Sequence, residues 1–129
     1  MKNIFIIPVI FLMLLCINNT FAQKVEKKDI EAKIGLETKD SLLNISGQAI
    51  NNTSQEYQLR YELSVITGNN NNSSSSQNNQ SGSFILPASG IKTLSRTSIS
   101  QNPGSKAIIK LNILNKDKVV ARDSVTFQF

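Results

Sequence analysis

The segment Tyr57-Gln58-Leu59-Arg60-Tyr61-Glu62-Leu63-Ser64-Val65 puts an apolar or aromatic side chain at every second position and a polar one between each. Successive side chains of an extended chain point to opposite faces. Strict alternation therefore calls for a strand with one face buried and one in water. The pattern breaks at Gly68. Residues 69–81 are Asn, Ser and Gln alone, and apolar positions resume in Gly82-Ser83-Phe84-Ile85-Leu86. No segment outside residues 1–22 shows a helical period to cover that face, so the chain points to an all-β domain.

Residues 1–22 have a different character. Lys2 is followed by an apolar run from Ile4 to Ile17 and then by Thr20-Phe21-Ala22, a small-x-small cleavage site. This reads as a cleaved secretory signal peptide. The run is short and contains Pro8, so no stable membrane insertion is expected. Cys16 follows Leu15, where a lipoprotein site would carry a small residue. The expected location is the periplasm, with secretion from the cell as the alternative.

The mature chain, residues 23–129, is read as a single domain. Cys16 is the one cysteine and lies in the signal, and the chain has no His and no Trp. Disulfides, thiol redox chemistry and Cys-based zinc sites are thereby removed, and the fold has to rest on an apolar core. Without Lys2 the balance is 13 Lys and Arg against 9 Asp and Glu. That mild excess lacks the clustered basic block of a nucleic-acid binder, so nucleic acid is not an expected partner.

Seven strands follow from alternation and turn residues. Ile30, Ala32, Ile34 and Leu36 mark the first, with a turn at Lys39-Asp40-Ser41. Leu43, Ile45, Gly47 and Ala49 mark the second, closed by Asn51-Asn52-Thr53-Ser54. The alternating segment is the third. Residues 69–81 are expected to be a low-complexity loop, and the fourth strand is short, Ser83 to Leu86, ended by Pro87-Ala88-Ser89-Gly90. Ile91, Leu94 and Ile99 are the expected core contacts of the fifth, with an irregularity near Leu94. Gln101-Asn102-Pro103-Gly104 is a strong turn. Ala107, Ile109, Leu111 and Ile113 are buried in the sixth, and Asn115-Lys116-Asp117 turns the chain again. Val119, Ala121, Val125, Phe127 and Phe129 share one parity of the seventh with Asp123, a charge out of pattern that suits a sandwich margin. The expected fold is an immunoglobulin-like β-sandwich of about seven antiparallel strands, with a small barrel as the competing architecture.

Catalysis requires a positioned acid, base, nucleophile or metal. Glu31, Glu37, Glu56 and Glu62 fall on polar parities, and no phosphate-binding Gly-rich loop or calcium loop occurs. An enzyme is not expected, nor any cofactor or metal. The 69–81 tract has two readings. One is a disordered polar loop; the other is a segment that mimics or contacts a Gln/Asn-rich amyloid partner. If strands three, six and seven are sheet neighbours, their outward residues include Arg60, Lys110 and Arg122. Such a face could attract an acidic or polar extended chain, or simply keep the sheet soluble.

The order Tyr-x-Leu-x-Tyr-x-Leu-x-Val, a polar connection and then Gln80-Ser81-Gly82-Ser83-Phe84 resembles the periplasmic curli chaperones of the CsgH/CsgC type, the CsgH-like members most. Ile91-Lys92-Thr93-Leu94-Ser95 and the strands Ala107–Ile113 and Val119–Phe127 fit the same layout, so the resemblance spans roughly residues 30–129. It implies a small monomeric protein that keeps unstructured, Gln/Asn-rich curli-type subunits from forming amyloid in the periplasm, without ATP or cofactor. The Cys-x-Cys element of some C-type members has no counterpart here, so no redox role carries over. The expanded Asn/Ser connection departs from the family layout. The alternative function is a secreted sandwich acting as a binding or structural module, such as an adhesin-like or surface-assembly component.

Overall fold

The computed structural model describes residues 28–69 and 75–129. The segment read as a signal peptide lies outside the described residues. Seven strands run in chain order: β1 (Ile30–Lys39), β2 (Leu42–Asn51), β3 (Tyr57–Asn69), β4 (Ser75–Leu86), β5 (Ile91–Ser100), β6 (Ser105–Asn115) and β7 (Lys118–Gln128). Among the described residues no helix is long and apolar enough to cross a membrane.

The strands form two antiparallel sheets, one in the order β1-β2-β5 and the other in the order β4-β3-β6-β7. They stack as an immunoglobulin-like sandwich. In the constant-type immunoglobulin order the fourth strand joins the sheet of strands one, two and five. Here β4 has crossed to β3, because the two pair in unbroken register from Tyr57↔Leu86 to Gly68↔Ser75. β3, β6 and β7 are neighbours, as the outward-residue argument requires.

Alternation accounts for the core. Leu43, Ile45 and Ala49 of β2, Leu59, Leu63 and Val65 of β3, and Ala107, Ile109, Leu111 and Ile113 of β6 are all buried between the sheets. Ile30, Ile34, Phe84, Leu86 and Ala121 extend this layer. Each such large aliphatic side chain contributes about 1.5–3 kcal/mol through area removed from water. With no disulfide available, this layer is what holds the two sheets together.

The turns follow their residues. Asp40-Ser41 and Lys116-Asp117 each join paired strands with both residues at positive φ (52° and 63°; 50° and 66°), so both hairpins close in two residues. Such mirror-image turns match the twist of the flanking strands. Asn102-Pro103-Gly104-Ser105 is a tight turn closed by the Ser105 amide donating to the Asn102 carbonyl at 3.1 Å, with Gly104 at φ 81°. That φ belongs to the third position of a type II turn, where glycine carries no Cβ penalty.

Three expectations need correction. The 69–81 tract is not a loop throughout: Ser75 to Ser81 belong to β4, and β3 runs on to Asn69. Residues 70–74 lie outside the described residues. The tract adds no core, but the backbone groups of β3 between Glu62 and Gly68 need partners, and a polar segment supplies N–H and C=O as well as an apolar one does. Next, Ile91 is 66% exposed and not in the core. The irregularity expected near Leu94 is real; the register shifts opposite Gly47/Gln48, leaving Leu94 as the extra residue. One extra residue reverses the parity on its far side, so Ile91 and Ile99 point to opposite faces despite their even spacing. Last, Asn51 is not a turn residue but the buried end of β2, only 2% exposed. Its Nδ2 donates to the carbonyls of Gln55 (2.7 Å) and Pro87 (3.0 Å), and its Oδ1 accepts from the Thr53 amide (2.9 Å) and hydroxyl (2.7 Å). It clasps the β2–β3 connection to the end of β4.

Candidate partner-binding surface

The outer face of the four-stranded sheet is set by the strand registers. Opposite-strand pairing places Ser81, Glu62, Asn112 and Arg122 in one row, and Asn79, Ser64, Lys110 and Ser124 in the next. Arg60 lies one row beyond Glu62, opposite Ser83 and Leu114. Arg60, Lys110 and Arg122 are all exposed and share this face, as the parity argument requires. Lys110 and Arg122 are diagonal neighbours across β6 and β7, roughly 7–8 Å apart at their Cα atoms. Arg60 is farther off, about 14 Å from Lys110 by strand spacing and rise.

The three cations are not equivalent. Arg60 lies 4.0 Å from the Glu62 carboxylate and 3.8 Å from Asp117 in the β6–β7 turn. Both contacts are long and exposed, so they add little stability, yet they share out its charge. Lys110 and Arg122 make no ion pair among the described residues. Lys106, opposite Gln128 and two positions along the same parity from Ile108, is a further exposed cation on this face. It stands second in β6, and its parity with Lys110 places it on this face.

The Gln80-Ser81-Gly82-Ser83-Phe84 step has a packing explanation. Gln80, Gly82 and Phe84 lie opposite Leu63, Tyr61 and Leu59, on the inward parity. A Cβ on Gly82 would stand 3.1 Å from the Tyr61 ring, so glycine lets the ring lie across β4 toward Phe84, whose centroid is 6.2 Å away. Gln80 Oε1 accepts from the Ser95 hydroxyl of β5. The motif joins the two sheets at the β4/β5 margin.

Asp123 does the corresponding job at the opposite margin. It is half-buried on the inward parity of β7, and its Oδ2 accepts the Ile34 amide of β1 at 2.9 Å. Its Oδ1 accepts the Ser124 amide at 2.9 Å. The charge out of pattern thus sits at a sandwich margin and satisfies an edge-strand N–H. No group of three or more His, Cys, Asp or Glu gathers among the described residues.

No family model matches the chain, and no curated protein matches it. Solved structures do. The Escherichia coli curli protein CsgC superposes with a TM-score of 0.60 at 15% identity, covering 74% of this chain and 96% of that one. CsgH of R. palustris gives 0.56 at 11%, covering 77% and 91%. The chain has the fold of these two curli proteins. A Bacteroides fragilis chain named as a β-galactosidase gives 0.57 at 12% identity, with 78% of this chain matching only 18% of that one. The same sandwich therefore serves both as nearly a whole protein, in CsgC and CsgH, and as a fraction of a much longer chain.

Proposed function

We propose that the protein is a chaperone of the curli type, which delays amyloid assembly of unstructured, Gln/Asn-rich subunits in the periplasm through transient polar contacts, without ATP or cofactor. The observation that carries this reading is the near end-to-end match to CsgC and CsgH, which it covers over 96% and 91% of their lengths. Physical support comes from the sheet face. Lys110, Arg122, Lys106 and Arg60 interleave with Asn112, Ser64, Ser124 and Asn79, so an extended polar chain meets charge and hydrogen-bonding groups together. Exposed contacts of this kind are individually weak and exchange rapidly. Weak binding suffices for an agent that acts on the rare nucleus and not on every subunit. The reading is non-enzymatic, and the protein acts as a monomer.

The test is fibrillation of a curli-type subunit followed by amyloid-dye fluorescence, with the protein well below equimolar. The lag should lengthen; an unchanged lag rejects the reading. Charge reversal at Lys110 and Arg122 should shorten the lag again, and reversal at Arg60 should do so less, because Glu62 and Asp117 already share its charge.

The occurrence of this sandwich as 18% of a longer chain favours one second reading, a secreted binding or structural module. Such a protein would be found outside the cell bound to matrix or glycan, whereas the chaperone would be recovered in the periplasmic fraction.

A further inference from the structure

A sheet edge presents unpaired N–H and C=O groups, and proteins blunt their edges with charges, prolines, bulges or a covering element. The edges here can be compared one by one. β1 carries Glu31, Lys33, Glu37 and Lys39, lies along β7, and gives its Ile34 amide to Asp123. β7 carries Lys118, Arg122 and Asp123. β5 carries Lys92 and Arg96 and is bulged at Leu94. β4 has none of these devices. From Ser75 to Leu86 it contains no charge and no proline, and its pairing with β3 has no register shift. Among the described residues no strand pairs with its outer edge. β5 meets it through the Ser95–Gln80 hydrogen bond and through Leu94, packed against the cluster of Phe84 and Leu86, while Ser75 to Asn79 are exposed on both parities.

We propose that the outer edge of β4, from Ser75 to Gly82, takes up an extended Gln/Asn/Ser-rich segment of a partner polypeptide as a fifth strand of the four-stranded sheet. Main-chain hydrogen bonds would supply the attachment, as in other cases of strand addition. The side chains of β4 fix the chemistry of the occupant. An added strand lies beside Ser76, Gln77, Asn78, Asn79, Gln80 and Ser81. Amide and hydroxyl side chains of a like segment pair with these in ladders, as they do between stacked polar strands. An apolar segment would set its side chains against amides, and a charged one would meet no opposite charge along the edge. The available edge spans roughly 27 Å, eight residues at strand rise. The use of this edge in delaying amyloid rests on the proposed function; the addition of a strand does not.

Hydrogen exchange by mass spectrometry tests the two separately. The probe is a capped twelve-residue peptide made only of Gln, Asn and Ser, added to protein expressed from the full-length sequence. At a peptide concentration ten times its Kd, the outward-pointing amides between Ser75 and Ser83 should exchange about tenfold more slowly, while those of β6 do not change. The double variant Gln77→Lys, Asn79→Lys should lose this protection. Both positions are exposed on the outer face, and an edge lysine opposes strand addition without disturbing the β3 pairing. Unchanged exchange of β4 in the wild type overturns the proposal, even if the protein delays fibrillation. Protection of β4 with an unchanged fibrillation lag supports strand addition and rejects the chaperone reading. Concentration-dependent protection of β4 without peptide would make a second copy the occupant, and overturns the proposal as stated.

Discussion

The two open sides of the sandwich are built on opposite principles. At the β1/β7 side the sheets lie close, both strands carry charges, and Asp123 reaches across to the Ile34 amide. At the β4/β5 side the sheets are held near one end by the Gln80–Ser95 contact and by Asn51 gripping the Pro87 carbonyl. Beyond Gln80 toward Ser75 the inward parity of β4 is polar and exposed. A core rich enough to hold both sheets leaves one margin free to remain uncapped. The difference is one of sequence and not of fold: the same edge geometry is guarded by a carboxylate on one side and left as plain backbone on the other.

The sharpest way to break this contrast is at Asn51. Asn51→Ala removes the donor to Gln55 and Pro87 and the acceptor for Thr53, stranding several polar groups next to the buried Leu86. Urea unfolding should show a loss of about 2–3 kcal/mol, with the midpoint lowered and the slope retained. Asp123→Ala, which unseals the other margin, should cost about 1–2 kcal/mol by the same measurement, because the carboxylate accepts two backbone amides but is only half-buried. Gly82→Ala should cost about 1 kcal/mol, since the Tyr61 ring has to retreat from a Cβ placed 3.1 Å away. Charge reversal at Lys110 should change stability by less than about 0.5 kcal/mol, as expected of an exposed side chain, while altering fibrillation kinetics.

Much of the architecture could be read from residue parity. Leu43, Ile45 and Ala49, and then Ala107, Ile109, Leu111 and Ile113, are buried as their alternation requires, and Pro103-Gly104 turns the chain where its torsions demand. What parity cannot register is a change of phase or a strand without apolar residues. Ile91 looked like core because the bulge at Leu94 reverses the faces, and the residues that reveal the bulge, Gly47 and Gln48, lie far back along the chain in β2. Ser75 to Ser81 carry no apolar alternation to mark a strand; the backbone of β3 that would otherwise be unpaired recruits them. Asn51 looked like a turn former; its burial depends on Pro87, which sequence does not bring near. On the sheet face, parity placed Arg60, Lys110 and Arg122 together, but the partial neutralisation of Arg60 by Asp117 needed the β6–β7 turn in three dimensions.

The contrast between the margins is most directly tested by amide-resolved hydrogen exchange of the free protein. Ile34, though on an edge strand, should exchange slowly because Asp123 accepts its N–H. Along β4 protection should alternate, with amides paired to β3 slow and the intervening outward amides as fast as those of exposed turns. A fast Ile34 amide, or uniform protection from Ser75 to Leu86, would contradict it.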